Sequence, residues 1–255
     1  MDLLAELIRR TPGFRGKGRI VSYWLKTRSG QRTRVLPGGL RMSLNMSVPY
    51  EAMVWLGWEE REELQMLSQL LRPGNTFVDC GANIGLWSLV AAPLVGEGGR
   101  VIAFEPNPDS ARRLTGHTAQ SSLIEVHATA LSEETRSLSF EPGEQHNLAR
   151  VSAQGTMQVQ ATTLDTAVKP PVHGIKIDVE GHELEVLRGA AETLAARPWL
   201  VVEFNTQHTP ARRLGEWPVH ELLTSLGYRA STPRGDALDG EWAPPFTYAN
   251  VLYRA

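Results

Sequence analysis

Two short strings hold residue types suited to ligand chemistry: FVDCGANIGLWS at residues 77–88 and VIAFEPNP at residues 101–108. The first is an apolar run ending on Asp79, then a turn with Gly81 and Gly85, then a helix start. The second is another apolar run, and it ends on Glu105, 26 residues beyond Asp79. A strand, a glycine turn, a helix and a second strand ending in an acid make a nucleoside-binding βαβ unit. Its glycines let backbone pass close to a ligand at a helix N-terminus, and the second-strand acid receives two ribose hydroxyls.

The turn reads DxGxxxG, and that pattern selects the ligand. A dinucleotide site needs bare backbone N–H groups around a pyrophosphate, hence three close glycines. Here a carboxylate, Asp79, opens the turn, and Asn83 lies between its two glycines. An acid repels a pyrophosphate and suits a cationic ligand such as the sulfonium and ammonium of S-adenosylmethionine. The competing reading is an ordinary βα turn whose glycines serve only packing; the placement of Glu105 argues against it.

These residues need a body to hold them, and 255 residues suffice for one large α/β domain with a short appendage. The hydrophobic share is 42%, and no apolar run approaches a membrane span. The single cysteine, Cys80, excludes an internal disulfide, which is consistent with a reducing cytoplasm. The start, MDLLAELIRRTPGF, carries Asp2 and Glu6 and makes a poor signal peptide. A cytoplasmic protein is therefore expected. Net charge is −2, yet residues 1–41 carry ten Lys/Arg against two acids. Such an arm either docks an anionic partner or pairs as a solvated face with the acidic remainder, and the second reading is preferred.

Periodicity predicts a short N-terminal helix on Leu3, Leu4, Leu7 and Ile8, then small strands over residues 19–45. A helix is expected over 59–71, ended by Pro73-Gly74. After Glu105 come a helix over 109–119 and a strand over 123–128. Residues 137–140 and 157–162 read as extra strands of an insertion that holds His146 and Asn147. GIKID at 174–178 is a core strand, followed by one helix over 182–196 and a strand over 199–204. A helix over 218–226 and strands over 228–231 and 248–253 complete the chain. Strands alternating with helices imply a largely parallel sheet covered on both faces. Residues 1–48 are expected to be the basic extension and 49–255 the main domain.

The strings LGWEEREELQMLSQLLRPGNTFVDCGANIGLWSL, GRVIAFEPNP, the leucine-aspartate of TTLDTAV, and IKIDVEGHELEVLRGA with its following VVEF span roughly residues 48 to 205. In content, order and spacing they resemble the FkbM family of S-adenosylmethionine-dependent methyltransferases. The resemblance implies a Class I Rossmann-like α/β fold with seven strands, the last antiparallel. It also implies methyl transfer to a hydroxyl of a saccharide or secondary metabolite. Carried over, it places the methionine portion of the cofactor on Asp79 and the Gly81, Ala82, Asn83 and Gly85 turn. Glu105 takes the ribose hydroxyls with Asn107 close by, and Ala130 and Leu131 line the adenine pocket. Cys80 reads as core.

Methyl transfer from a sulfonium is an in-line displacement in which the protein aligns the acceptor and, for an alcohol, removes its proton. The carboxyl ends of the fourth and fifth core strands face the crevice and supply Asp178, Glu180, His182, Glu183, Glu203, Asn205 and His208. Asp178, His182 and Glu180 are the expected catalytic residues, with His208 and His146 next. Glu180 alternatively serves the N-terminus of the helix after it, and Lys176 is expected to pair with an acid. No residue is assigned to a metal; a magnesium site from Asp178, Glu203 and Asn205 is the alternative, by resemblance to some Class I O-methyltransferases. The expected partner is a small molecule or saccharide, with no nucleic acid and no transmembrane segment. A catalytically silent cofactor-binding scaffold, or an RNA methyltransferase using the basic arm, is the alternative function.

Overall fold

The computed structural model describes residues 23–24, 27–143 and 150–255. The expected helix around Leu3 to Ile8 and the insertion residues His146 and Asn147 lie outside the described residues.

The chain first forms an antiparallel hairpin of β1 (Gln31–Val35) and β2 (Arg41–Asn45). Next come α1 (Pro49–Leu56) and α2 (Arg61–Leu70). Periodicity does not predict α1; Pro49 starts it, and Gly57 ends it in a left-handed conformation with φ 74°. The central unit is β3 (Thr76–Cys80), α3 (Leu86–Val95), β4 (Arg100–Phe104), α4 (Pro108–Thr118) and β5 (Ile124–His127). Four further strands follow: β6 (Ala130–Leu131), β7 (Arg136–Glu141), β8 (Arg150–Val151) and β9 (Met157–Thr162). The rest is α5 (Leu164–Ala167), β10 (Gly174–Ile177), α6 (Glu183–Arg188), α7 (Ala191–Ala195), β11 (Trp199–Asn205), α8 (Pro218–Ser225), β12 (Arg229–Ser231) and β13 (Tyr248–Arg254).

Seven strands make one sheet in the order β12-β13-β11-β10-β3-β4-β5. All its pairings are parallel except those of β13, which runs antiparallel between β11 and β12. Side chains alternate between two buried layers. Val78, Ile102, Ile175 and Val202 enter one, and Phe77, Val101, Val201 and Leu252 the other. The chain proceeds from β3 outward to β5, then crosses back to β10 on the other flank of β3. The strand order therefore reverses between β3 and β10, and a crevice opens at their carboxyl ends. A separate four-stranded sheet, β6-β9-β7-β8, continues from β5 beside that crevice.

The hairpin packs on this body. Leu36, Met42 and Leu44 belong to the same buried cluster as Phe77 and Val201. Of the arm's described cations, Arg32 lies over the Trp55 ring at 5.0 Å, and Arg34 donates to the Val54 carbonyl.

The helix expected over 182–196 is in fact two, α6 and α7, broken at Gly189 and Ala190. A Cβ on Gly189 would lie 2.1 Å from the Ser132 carbonyl oxygen, so only glycine allows this approach. The Gly189 carbonyl accepts from the Asp165 N–H at 3.1 Å. The Asp165 carboxylate in turn accepts from the N–H groups of Glu192 and Thr193, both at 2.9 Å, and so starts α7. Those contacts satisfy first-turn donors that an unbroken helix would not present.

Candidate functional site

The turn after β3 is fixed from below. Gly81 and Ala82 donate to the Phe104 carbonyl of β4 at 3.0 and 2.9 Å. Gly81 (φ 79°) and Gly85 (φ 99°) are left-handed, as is Asn83 at φ 50°. A Cβ on Gly81 would lie 1.8 Å from the Asp178 carbonyl oxygen, because β10 leaves the sheet across it. Glu105 completes the frame: Oε2 accepts from Asn83 N–H and Oε1 from Asn107 N–H, both at 2.8 Å. Burial pushes the Glu105 carboxyl up to about 7, with these two donors pulling the other way. Each oxygen holds one donor and keeps a lone pair for a second.

The expected cofactor residues divide into two groups. Gly81, Ala82, Asn83, Glu105, Ala130 and Leu131 line one cavity at the sheet's carboxyl edge. Asp79, Gly85 and Asn107 lie outside that lining. Asp79 is fully buried, accepts from Ser88 Oγ at 2.6 Å and faces Lys176 at 3.7 Å. Gly85 packs against Leu114, and the Asn107 side chain caps α4 by accepting from Asp109 and Ser110 N–H. Lys176 Nζ also contacts Asp178 at 3.2 Å and donates to the Gly81 carbonyl at 2.7 Å, tying β10 to the glycine turn. Burial opposes its charge, yet Asp178, Asp79 and Glu60 hold its pKa above the usual lysine range. Cys80 is buried, and burial pushes its thiol up, away from a reactive thiolate.

The far wall comes from the ends of β10 and β11, with Asp178, Glu180, His182, Glu203, Asn205 and His208. The strand pleat stops at Ile177, and Glu180 takes a left-handed φ of 56°. Its carboxylate meets His208 Nδ1 at 3.1 Å, off the line of a well-formed hydrogen bond. That contact raises the His208 pKa above the ordinary histidine value against the effect of burial. Gly181 is the hinge of this meeting, since a Cβ there would lie 2.9 Å from His208 Cβ. Glu183, not Glu180, serves the turn before α6: its Oε1 accepts from Gly181 and Val179 N–H at 2.9 and 3.3 Å.

His182 is engaged elsewhere. Its Nε2 lies 3.0 Å from Ser132 Oγ and its Nδ1 lies 3.6 Å from Glu185, and burial lowers its pKa. Glu203 is buried and accepts from Asn205 Nδ2 at 3.3 Å; burial, then Asp178 and Glu180, push its carboxyl well up. Ligand-type atoms of Glu180, Glu203 and His208 lie within 4.8 Å of one another. Of the magnesium trio considered from sequence, that group contains only Glu203. Sequence reasoning also missed Tyr50, Glu59, Glu60, Trp87 and Tyr248, which line the same cavity. The two acids ahead of α2 were the one available signal.

The Methyltransferase FkbM domain profile matches residues 79–230. Over 178 residues the chain is 31% identical to the hexuronic acid methyltransferase AglP of Haloferax volcanii, covering 66% of this chain and 72% of that protein. The crystal structure of Methyltransferase FkbM from Methylobacillus flagellatus KT superposes with a TM-score of 0.50 at 16% identity. That alignment covers 100% of this chain and 77% of the other.

Proposed function

The chain belongs to the FkbM methyltransferase family, and from that premise we propose that it moves a methyl group from S-adenosylmethionine to a saccharide hydroxyl. The observation that carries this reading is the glycine turn clamped to Glu105 at the strand-order reversal, opposite a wall of acids. Glu105 holds the ribose hydroxyls with its remaining lone pairs, and Ala130 and Leu131 lie beneath the adenine. Asp79 acts at one remove: through Lys176 it fixes the Gly81 carbonyl and the direction of Asp178. When bound, S-adenosylmethionine supplies a methyl group on a sulfonium, already activated for in-line displacement.

The protein's own tasks are then alignment and proton removal. Asp178 orients the acceptor hydroxyl from its place beside the turn. His208, neutral and backed by Glu180, takes the hydroxyl proton, and the Glu180 carboxylate stabilises the imidazolium that forms. His182 positions the turn before α6 through Ser132. The saccharide class rests on the substrate named for the haloarchaeal relative.

The test is formation of S-adenosylhomocysteine from S-adenosylmethionine over a panel of uronate-bearing and neutral oligosaccharides, with and without EDTA. Turnover on at least one saccharide, unchanged by the chelator, is the expected result. Chelator loss restored by magnesium would convert Glu180, Glu203 and His208 from a proton-transfer group into a cation site. No turnover on any saccharide would remove the acceptor assignment.

A further inference from the structure

Two polar atoms at the cavity have no use in the reaction described above. Glu60 Oε2 and Trp87 Nε1 are both buried, and neither has a hydrogen-bond partner among the described residues. Both residues line the cavity that also contains Gly81, Asn83 and Glu105. They reach it from different elements. Glu60 immediately precedes α2, and Trp87 is in the first turn of α3. The two are neighbours: the Trp87 indole N–H points at the Glu60 carboxylate and favours its charged form, yet the contact falls short of a well-formed hydrogen bond. A buried acceptor and a buried donor therefore stand side by side, each with only the other in reach among the described residues.

The backbone holds Glu60 there at a cost. It adopts φ 51°, left-handed for a residue with a side chain, and has no side-chain capping bond that would explain the conformation. Burial pushes its carboxyl up to about 8, with Lys176 opposing. Trp87 is 3% exposed, and its ring stacks on Phe77 at 6.4 Å between centroids, which fixes the indole N–H. Strained, buried and unsatisfied groups beside a cavity are expected where a ligand supplies the missing partners. The missing partners are a donor cation for Glu60 and an acceptor anion for Trp87.

A single group carries both at the required adjacency: the α-ammonium and α-carboxylate of an amino acid. Helix α3 begins on Gly85, which offers no side-chain cap, so its first-turn N–H groups favour the anionic end on the Trp87 side. We propose that Glu60 and Trp87 form the subsite for an amino-acid head group, Glu60 accepting from the ammonium and Trp87 donating to the carboxylate. This subsite rests on the reading that S-adenosylmethionine is the methyl donor, and it assigns the methionine end to residues outside the glycine turn. The competing explanation is a loose pair in which Glu60 and Trp87 serve only each other.

Two probes separate these cases in equilibrium titrations of the full chain. S-adenosylhomocysteine carries the amino-acid head; 5′-methylthioadenosine keeps the adenosine and thioether without it. Wild-type protein is expected to bind the first more tightly. Glu60→Gln is expected to weaken S-adenosylhomocysteine by about 10- to 100-fold, the scale of a hydrogen bond to a charged group, and to leave methylthioadenosine unchanged. Trp87→Phe keeps the stacked ring and removes only the N–H, so it should give a smaller loss with the same selectivity, even if the Glu60 variant fails to fold. Equal losses for both probes, no loss for either, or equal wild-type affinity for the two would overturn the subsite. Wild-type protein binding neither probe would instead sink the assignment of S-adenosylmethionine itself.

Discussion

Gly81→Val is expected to abolish S-adenosylhomocysteine binding and to lower the thermal unfolding midpoint. The first added carbon would lie 1.8 Å from the Asp178 carbonyl oxygen, a backbone atom that cannot rotate away. Its residue also sits at φ 79°, where a side chain costs about 1–2 kcal/mol before any contact is counted. Relief requires the ends of β3 and β10 to separate, and those ends form the crevice. Asp178 N–H donates to the Cys80 carbonyl at 3.1 Å, so the same movement breaks the last rung between the strands. Gly116→Ala is the control. Nothing lies within 4 Å of the added carbon, and alanine suits a helix interior better by about 1 kcal/mol. A Gly81→Val protein that melts and binds like wild type would show that the turn does not cradle the cofactor.

His208→Gln is expected to lower kcat by about a hundredfold to ten-thousandfold while S-adenosylhomocysteine affinity stays within a few-fold. The pH profile carries the sign. Only neutral imidazole accepts the hydroxyl proton, and the Glu180 contact raises the His208 pKa above the ordinary histidine value of 6.5. Activity should therefore fall as pH drops through a value above 6.5, which marks the acid limb of kcat. Glu180→Gln removes the contact that holds the proton, so its acid limb should move down, at a reduced rate. His182→Ala should leave the limb in place, since that ring is occupied by Ser132 and Glu185. A His208→Gln enzyme with full kcat, or an unmoved limb in Glu180→Gln, would place the base elsewhere.

What could be read from the chain was what sequence-local patterns encode. The buried runs around Val78, Ile102 and Ile175 alternate with helical stretches, and the largely parallel sheet follows from them, whereas the antiparallel β13 was expected only from the family resemblance. Glu105 was legible because its distance from the glycine turn is set by one βαβ unit. Asp79 shows the limit: its residue type suggests a partner for a cationic ligand. Yet β10 pairs in register with β3 so that Lys176 is its direct cross-strand neighbour. The break between α6 and α7 depends on Ser132 and Asp165, both remote in sequence, so helical spacing alone reads straight through it. The same holds for Glu60, which continues the α2 pattern in sequence but leaves the helix in space. Glu180 and His208 meet only because Glu180 turns left-handed and Gly181 lets the loop after β11 approach.

The central claim is that this crevice binds the methyl donor through Glu105. Titrating S-adenosylhomocysteine into wild-type protein and Glu105→Gln, at pH 6 and pH 8, tests it most directly. The Glu105 carboxyl, pushed up to about 7 by burial, is ionised at the higher pH and largely protonated at the lower. Saturable one-site binding to wild type that strengthens from pH 6 to pH 8 is the expected result. Binding to Glu105→Gln should be about 10- to 100-fold weaker at pH 8, with a smaller change between the two pH values than wild type shows, the remainder coming from the Glu60 carboxyl, which burial pushes up to about 8. Wild-type affinity in the variant at both pH values, or no binding to wild-type protein at all, would contradict it.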